Sequence, residues 1–292
     1  MTTRTALVTG AAGLLGRATT ELLADSDVEV HALVRRSDQA FRDDVEFHET
    51  DLTRPLDRAA LPERVDAVFH LAQAREFRDF PGSAPQVFAI NVATTAWLLD
   101  YASRGGASSF VYASSGGVYR PSDGSPLTED AALQAPSKLG YYLATKVSSE
   151  ALVGSYSGQF STVSLRYFFI YGPGQTRSML IPRLYDRVAA GEAISLQGAD
   201  GMHINPVHVV DAAAATVAAA SLSSSDTLNV AGPQTLSLRE IGTIFAADVG
   251  REPVFEQGAG DASDLVASTD RMSAVLTAPG VTLEQALPDL RT

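Results

Sequence analysis

Cysteine is absent from this chain of 292 residues, and lysine is almost absent. Without cysteine there is no disulfide, no thiolate nucleophile and no cysteine-ligated metal. Lysine occurs only at Lys138 and Lys146, so the position of each lysine is informative. No run of 18 apolar residues is present, and a strand-like pattern begins by Thr5, which leaves no room for a signal peptide. We therefore expect a soluble cytoplasmic protein.

Acidic residues outnumber basic ones, 34 to 22, so the net charge is −12 and the pI is about 4.8. This balance argues against binding to nucleic acid or to an anionic membrane. The five histidines show no His-x-x-x-His spacing, so we expect no metal site and assign them to the core or the surface. They are His31, His48, His70, His203 and His208.

Short apolar runs alternate with helical patterns over the first 171 residues. The predicted strands cover residues 5–9, 28–34, 45–50, 67–71, 110–113 and 162–168, and the predicted helices cover residues 14–24, 86–103 and 138–156. Apolar runs of this kind are typical of strands buried on both faces. The alternation predicts an α/β fold, a Rossmann-type doubly wound parallel sheet that binds ligands at the carboxyl ends of its strands.

The pattern changes after Gly172. Helices are predicted over residues 178–190, 207–222 and 236–249, and a strand over residues 227–230. Ser237 and Glu240 form a capping-box pattern. We therefore predict a dinucleotide-binding domain of residues 1–171, to which residues 205–231 return. Residues 172–204 and 232–292 would form a smaller substrate-binding lobe.

A glycine motif joins the first predicted strand to the first helix. Gly10 would allow a tight turn, Gly13 would let a pyrophosphate approach the backbone, and Gly16 would let the helix pack closely. The helix start, at Leu14 and Leu15, would offer free N–H groups and a positive dipole end. Because this triplet stands between a strand and a helix, it favours a dinucleotide site over a glycine-rich turn without a ligand.

Two arginines follow the second predicted strand. A site specific for NAD usually has an acidic residue at this strand end, but the chain has Val34. Arg35 and Arg36 could pair with a 2′-phosphate. The sequence therefore favours NADP(H), with NAD(H) as the alternative if these arginines are only solvated surface charges.

A tyrosine and a lysine four residues apart suggest a reaction centre. Tyr142 and Lys146 would share one helix face, whereas Tyr141 would point elsewhere. An ammonium near the phenol would lower the pKa of Tyr142 and make it a usable acid and base. Ser115, from a neighbouring strand end, could hydrogen-bond the same substrate oxygen, and Ser114 is a second candidate.

With these elements the chain resembles the extended short-chain dehydrogenase/reductases, the NAD(P)-dependent epimerase/dehydratase family. The resemblance implies that Ser115, Tyr142 and Lys146 are catalytic, and that Lys146 also binds the nicotinamide ribose. It implies further cofactor-site residues, which are Asp51, Leu52, Leu71, Ala72, Asn91 and Tyr167. It also implies a homodimer formed through the helices of residues 86–103 and 138–156.

Departures from the family pattern narrow the reaction. Gly116 and Gly117 stand where dehydratases of the family carry an Asp-Glu pair, which argues against 4,6-dehydration. Phe169 replaces an asparagine of nucleotide-sugar epimerases, and Ile204 replaces an arginine. The candidate substrate contacts are Ser114, Ser115, Phe169, Arg177 and His203.

The leading hypothesis is therefore a reductase that transfers one hydride to or from a keto or secondary-alcohol carbon of a small substrate. By resemblance, that substrate would be a nucleotide-linked sugar. The alternatives are an epimerase that retains its NAD and a dinucleotide-binding sensor without catalysis. Retention of both Tyr142 and Lys146 argues against the sensor.

Overall fold

The structure is a computed structural model that describes residues 4–121 and 124–291. The predicted domain limits at residues 1 and 292 lie outside these ranges. The strands are β1 Arg4–Thr9, β2 Val28–Val34, β3 Glu46–Glu49, β4 Ala67–His70, β5 Ser109–Ser115, β6 Ser161–Tyr167, β7 Ile194–Leu196, β8 His203–Ile204, β9 Asp226–Val230, β10 Leu236–Ser237 and β11 Phe255–Gln257.

The central sheet is parallel and has seven strands in the order β3-β2-β1-β4-β5-β6-β9. The order reverses between β1 and β4, and such a switch point is where ligands bind in open α/β sheets. The predicted doubly wound fold class is therefore confirmed. The strand of residues 28–34 has the predicted bounds, and the other five early strands differ by one or two residues at their ends.

Helices connect these strands. They are α1 Leu14–Ala24, α2 Ala84–Phe88, α3 Thr94–Gly105, α4 Gly140–Gly154, α5 Leu180–Ala190, α6 Val209–Ala219, α7 Leu238–Val249, α8 Asp270–Val275 and α9 Leu287–Leu290. A π-helical turn, Ala89–Ala93, joins α2 to α3, so the predicted helix of residues 86–103 is one helix with a wider turn inside it. The predicted capping box of Ser237 and Glu240 opens α7.

The chain divides into two compact units. The first contains the chain up to Val118 together with Leu133–Arg166 and Ala213–Leu228, and the second contains Tyr119–Ala132, Tyr167–Ala212 and the chain from Asn229 onward. In the first unit the core lies between the sheet and α3, where Leu7, Leu98 and Phe110 are fully buried. Each such side chain stabilises the fold by about 1.5–3 kcal/mol.

The second unit has its own core, formed mainly by α5 and α7. Tyr171, Ile241 and Phe245 are fully buried there. Short two-stranded pairs, β7 with β11 and β8 with β10, were not predicted, because two or three residues are too few to show a periodicity. In residues 4–121 and 124–291 no helix is long and apolar enough to cross a membrane.

Candidate active site

Gly10 forms the turn between β1 and α1. Its φ is 71°, in the left-handed region that favours glycine, and the N–H of Gly13 donates to its carbonyl at 2.8 Å. A Cβ added to Gly10 would come within 2.8 Å of the backbone of Ala72, and one added to Gly16 within 2.1 Å of the Gly10 carbonyl. The turn, α1 and the segment after β4 therefore pack backbone against backbone, as only glycine allows.

The start of α1 is open to an anion. Its N-cap, Gly13, has no side chain to accept from the first N–H groups, and the first turn has no acidic residue. Leu14 and Leu15 are half-buried in this turn. The first N–H groups of a helix have no partner inside the helix and lie at its positive dipole end. This turn therefore fits the phosphates of a dinucleotide.

The predicted adenosine side of the site lies at the ends of β2 and β3. Arg35 and Arg36 directly follow β2 and are exposed. Arg36 pairs with Asp38 at 2.9 Å between Nη2 and Oδ2, whereas Arg35 forms no ion pair with any residue that the structure describes. Asp51 follows β3, and hydrogen bonds from Thr53 lower the pKa of its carboxyl group.

The backbone after two further strand ends completes this edge of the sheet. The carbonyl of Leu52 accepts from the Thr94 hydroxyl at 2.6 Å, and the N–H of Ala72 donates to the Thr9 hydroxyl at 3.1 Å. Leu71 is half-buried between β4 and Ala72. The residues predicted from the glycine motif and from the segments after β2, β3 and β4 thus lie at the carboxyl ends of four neighbouring parallel strands.

Ser115 and Tyr142 come together at the end of β5. Ser115 is the last residue of β5, and Tyr142 lies in the first turn of α4. A side-chain hydrogen bond with Ser115 lowers the pKa of the Tyr142 phenol, as does the charge of Arg78, but burial outweighs both and raises that pKa above its ordinary value. The phenol donates to Oε1 of Gln73 at 2.8 Å.

Lys146 lies one turn after Tyr142 and is buried. Its Nζ donates to the carbonyl of Ala113 at 2.7 Å and lies 5.9 Å from the centre of the Tyr142 ring. Burial lowers the pKa of Lys146 to about 8, while the charge of Glu150 raises it. The shared helix face of Tyr142 and Lys146 was predicted, but the predicted lowering of the Tyr142 pKa is wrong because burial dominates.

Buried hydrogen bonds join β1, β4, the π turn, α3 and α4. We call the participating side chains the central network, which consists of Thr9, His70, Asn91, Thr95 and Ser149. The ring of His70 lies between two hydroxyls, with Nδ1 2.9 Å from Thr9 and Nε2 3.0 Å from Thr95. Burial lowers the pKa of His70 to about 3, so its ring is neutral near pH 7.

Asn91 organises the network from the π turn. Its carbonyl accepts from the hydroxyls of Thr95 and Ser149, both at 2.7 Å. Its side-chain amide accepts from the N–H of Ala74 at 3.1 Å and donates to the hydroxyl of Thr145 at 2.9 Å. Because this side chain is only 1% exposed, it serves to hold the surrounding backbone, which differs from the predicted cofactor contact.

Ser114 and Ser115 are adjacent but face different surroundings, since side chains alternate along a strand. The hydroxyl of Ser114 is buried and donates to Glu150 at 2.5 Å. Glu150 also accepts two bonds from Arg166, of 2.9 and 2.7 Å. This contact engages the proton of the hydroxyl, which can still accept a hydrogen bond, so Ser114 remains a predicted substrate contact.

The remaining predicted cofactor and substrate contacts lie in the second unit. Tyr167 is buried at the end of β6, and Phe169 has a φ of 48°, which is unusual for a residue other than glycine. Arg177 pairs with Asp186 and donates to the carbonyl of Leu290 at 3.0 Å. These bonds hold the guanidinium within the unit.

His203 also contacts its own unit, because its Nδ1 lies 3.1 Å from Asp264. Ile204 is fully buried in the core, so its position offers no polar anchor to a ligand. Phe169, Arg177 and His203 remain predicted substrate contacts.

The residues of the site that the sequence did not predict include Gln73, Glu150 and Arg166. Glu150 could have been found, because it lies four residues after Lys146 on α4. Arg166 could not, since only the position of β6 in the sheet brings it to Glu150. Gln73 lies in an irregular segment after β4, where the sequence carries no periodicity.

The chain is similar to several known proteins. The chain is 28% identical to dTDP-4-dehydro-6-deoxy-D-allose reductase of Streptomyces bikiniensis over 85% of this chain and 82% of the relative. It is 27% identical to UDP-glucose 4-epimerase of Bacillus subtilis over 84% and 82% of the two chains.

Among solved structures, MoeE5 in complex with UDP-glucose and NAD matches with a TM-score of 0.81. Its sequence is 28% identical, and the match covers 98% of this chain and 96% of MoeE5. The profile of the NAD dependent epimerase/dehydratase family matches residues 6–231, a span that contains the glycine turn, Ser115, Tyr142 and Lys146. The chain therefore belongs to the NAD dependent epimerase/dehydratase family.

Proposed function

We propose that this protein is an NAD(P)-dependent oxidoreductase that reduces a keto carbon, or oxidises the corresponding secondary alcohol, of a nucleotide-linked sugar. The observation that carries this proposal is the hydroxyl pair of Ser115 and Tyr142 at the end of β5, beside the buried Lys146. A reductase of a dTDP-linked keto-sugar among the relatives supports the substrate class.

Tyr142 is the proton donor in this proposal. Its phenol donates a hydrogen bond, and burial keeps its pKa high, so the protonated form predominates near pH 7. A protonated phenol can neutralise the alkoxide that develops when a ketone accepts a hydride. Ser115 would hydrogen-bond the same oxygen and hold it beside the phenol. Gln73 would release the phenol when substrate arrives.

Lys146 would provide a fixed positive charge below this pair. With a pKa of about 8 it is mostly an ammonium at pH 7, and the carboxylate of Glu150 favours that form. Near the site, this charge would stabilise an alkoxide more than a neutral ketone. By family resemblance, it would also bind the ribose of the cofactor.

The turn of Gly10, Gly13 and Gly16 fits a dinucleotide, because an added Cβ would close its backbone cradle and the start of α1 is uncapped. Leu14 and Leu15 would offer their N–H groups to the phosphates. When bound, the nicotinamide ring supplies the hydride. The first unit would thus bind the cofactor, and the second would bind the substrate, with a homodimer as the expected assembly.

Arg35 and Arg36 favour NADP(H) in this proposal. Both are exposed after β2, and Arg35 has no ion pair with the residues that the structure describes. A guanidinium can bind a 2′-phosphate through two parallel hydrogen bonds. MoeE5 was solved in complex with NAD, so NAD(H) is the cofactor against which this preference has to be measured.

Epimerisation is the second candidate, and the match to UDP-glucose 4-epimerase favours it. An epimerase would use the same Tyr142 but return the hydride to the opposite face of the same carbon. Dehydration is not proposed, because Gly116 and Gly117 follow Ser115 and neither residue can transfer a proton.

The fate of the hydride distinguishes the two candidates. In one mixture the protein should be incubated with a dTDP-4-dehydro-6-deoxyhexose and NADPH that carries deuterium at C4 of its nicotinamide ring. In a parallel mixture it should be incubated with UDP-glucose and a catalytic amount of NAD. A reductase consumes the cofactor and places deuterium on the sugar. An epimerase converts UDP-glucose without net consumption of the cofactor. If both mixtures remain unchanged, the proposed substrate class is wrong.

A further inference from the structure

A second group of chemically active side chains lies at the outer edge of the sheet. Glu29 and His31 are two residues apart on β2, and Glu46 and His48 are two residues apart on β3, the edge strand. Side chains two apart on a strand share a face. The strand register pairs His31 with Glu46. We call these four residues the edge cluster.

Three of these side chains converge on one point. His31 Nδ1 lies 2.9 Å from His48 Nε2 and 3.6 Å from a Glu46 oxygen, and His48 Nε2 lies 3.6 Å from the other Glu46 oxygen. Both rings are largely buried, whereas the Glu46 side chain is 62% exposed. The point between the three groups is therefore open to solvent on one side.

These separations suit a metal ion. Zinc binds imidazole nitrogen at about 2.0–2.1 Å and carboxylate oxygen at about 2.0–2.2 Å, which puts tetrahedral ligand atoms about 3.3 Å apart. The three donor separations in the edge cluster, 2.9 to 3.6 Å, lie on either side of that value. Two imidazoles with a carboxylate favour zinc and similar transition metals over calcium or magnesium.

The hydrogen bonds of the two rings leave one nitrogen without a partner. One proton lies between His31 Nδ1 and His48 Nε2, which are 2.9 Å apart, and His48 also bonds the backbone of Ala60. Nε2 of His31 is buried and has no hydrogen-bond partner. Buried polar atoms in this state are rare in folded proteins.

We propose that His31, His48 and Glu46 bind a divalent transition-metal ion such as Zn²⁺, with water as the remaining ligand. On binding, His31 Nδ1 and His48 Nε2 both become ligands, so the proton between them moves to the second nitrogen of the ring that carried it, and no proton is gained or lost. Glu29 lies 3.4 Å from His31 Nε2 and would accept an N–H there. Metal-binding histidines commonly donate their second N–H to a carboxylate or a backbone carbonyl in this way.

The proposal explains an arrangement that a plain hydrogen-bonded histidine pair does not. A structural pair would need only the bond between the rings, and the unpartnered Nε2 and the two nearby carboxylates would have no purpose. Metal binding gives each group a function, since Glu46 is a ligand and Glu29 and Ala60 orient the rings. It departs from the sequence expectation of no metal site, because strand register, which sequence spacing does not show, brings these residues together.

The test is Zn²⁺ binding by the chelator-treated full chain, measured by competition with a chromophoric chelator. We expect one tight equivalent. Glu46→Gln, at an exposed position, should reduce the affinity at least about tenfold with the fold unchanged, and Glu29→Gln should reduce it about 10–100-fold. His203→Gln is the matched control, because His203 also contacts a carboxylate, Asp264, but lies in the other unit.

Thermal unfolding gives a second measurement that does not depend on activity. Zn²⁺ should raise the Tm of the wild-type chain and of His203→Gln, because a ligand that binds only the folded state stabilises it. It should raise the Tm of Glu46→Gln much less. Absence of a tight equivalent, or equal affinity in the wild-type chain and Glu46→Gln, would overturn the proposal.

Discussion

The central network contains one histidine, His70, and the edge cluster contains two, His31 and His48, on strands of the same sheet, but His70 and His31 differ in how completely their rings are hydrogen-bonded. Both nitrogens of His70 lie within 3.0 Å of a threonine hydroxyl. Only one nitrogen of His31 has a hydrogen-bond partner. A histidine with both nitrogens bonded is a part of the framework, whereas one with an unpartnered buried nitrogen is a candidate ligand.

The position in the sheet explains this difference. β4 is an inner strand, so the ring of His70 lies between a hydroxyl of the neighbouring strand β1, Thr9, and a hydroxyl of the covering helix α3, Thr95. β3 is the edge strand, so the side chains around His31 and His48 border on solvent, and Glu46 is exposed. We therefore expect substitutions near the central network to have large effects on rate or stability, and substitutions along the β2 and β3 edge to have small ones.

The largest expected effect is on turnover. Tyr142→Phe removes the proton donor beside the central network and should lower kcat about 10²–10⁴-fold. Binding of the dinucleotide should be unchanged, because the glycine turn is intact. The measurement is steady-state reduction of the keto-sugar together with cofactor titration.

Tyr141→Phe is the matched control for this substitution. Its hydroxyl donates to the carbonyl of Ala84 at 3.0 Å, so it lies on another side of α4. It should keep nearly full activity. Equal losses in Tyr141→Phe and Tyr142→Phe would show that the effect is structural and would contradict the assignment of Tyr142.

The second effect is on stability. Glu150→Gln removes one partner of the ion pair with Arg166. The Arg166 side chain is 8% exposed and the Glu150 side chain is 11% exposed. Loss of one partner of a buried pair costs about 3–5 kcal/mol, because the remaining charge stays buried. The free energy of unfolding should fall by about this amount in urea denaturation.

An exposed pair in the same unit gives the comparison. Asp100 pairs with Arg104 at 2.8 Å on the surface of α3, so Asp100→Asn should change stability by about 0–1 kcal/mol. If the free energy of unfolding fell by the same small amount in Glu150→Gln and Asp100→Asn, the buried pair would contribute no more to stability than the surface pair. The expected difference between buried and exposed sites would then be contradicted.

The third effect is the dependence of stability on pH. The pKa of His70 is about 3 in the folded chain, against an ordinary value of 6.5. Below pH 6.5 the unfolded chain therefore binds a proton that the folded chain does not bind, and stability is lost as the pH falls. The loss is at most about 1.4 kcal/mol per pH unit for this one group.

Urea denaturation between pH 7 and 5 measures this slope. His70→Gln cannot titrate at this position and should give a shallower slope than the wild-type chain. The NMR signals of the His70 ring should also show no titration over this range. Titration of this ring near pH 6.5 would contradict its description as a buried neutral group.

Sequence alone predicted the parts of the molecule that depend on local pattern. The glycine turn, the strand of residues 28–34 and the helix face shared by Tyr142 and Lys146 all follow from spacing within one element. The Tyr142 pKa was predicted in the wrong direction, because burial depends on neighbours that spacing does not reveal. The contacts of Ser114 with Glu150 and of His31 with His48 depend on packing between elements and on strand register.

The smallest expected effect is on the preference of the protein for NADPH over NADH, which we assign to the end of β2. Arg35 and Arg36 are exposed at the end of β2, and water screens exposed charges. Arg36 already pairs with Asp38, also an exposed group. Arg35→Ala alone should therefore weaken NADPH binding more than Arg36→Ala does, and the double variant should weaken it about tenfold, as expected for a loss of about 1.4 kcal/mol.

NADH is the internal standard of this experiment, because it lacks the 2′-phosphate. Its affinity should change little in Arg35→Ala, Arg36→Ala or the double variant. Arg104→Ala, far along α3, controls for the loss of one positive charge from an acidic protein. Fluorescence titration of both dinucleotides measures the ratio of the two affinities. An unchanged ratio in the double variant would mean that the arginines are solvated surface charges, and the NADP(H) preference would have no basis in this strand end.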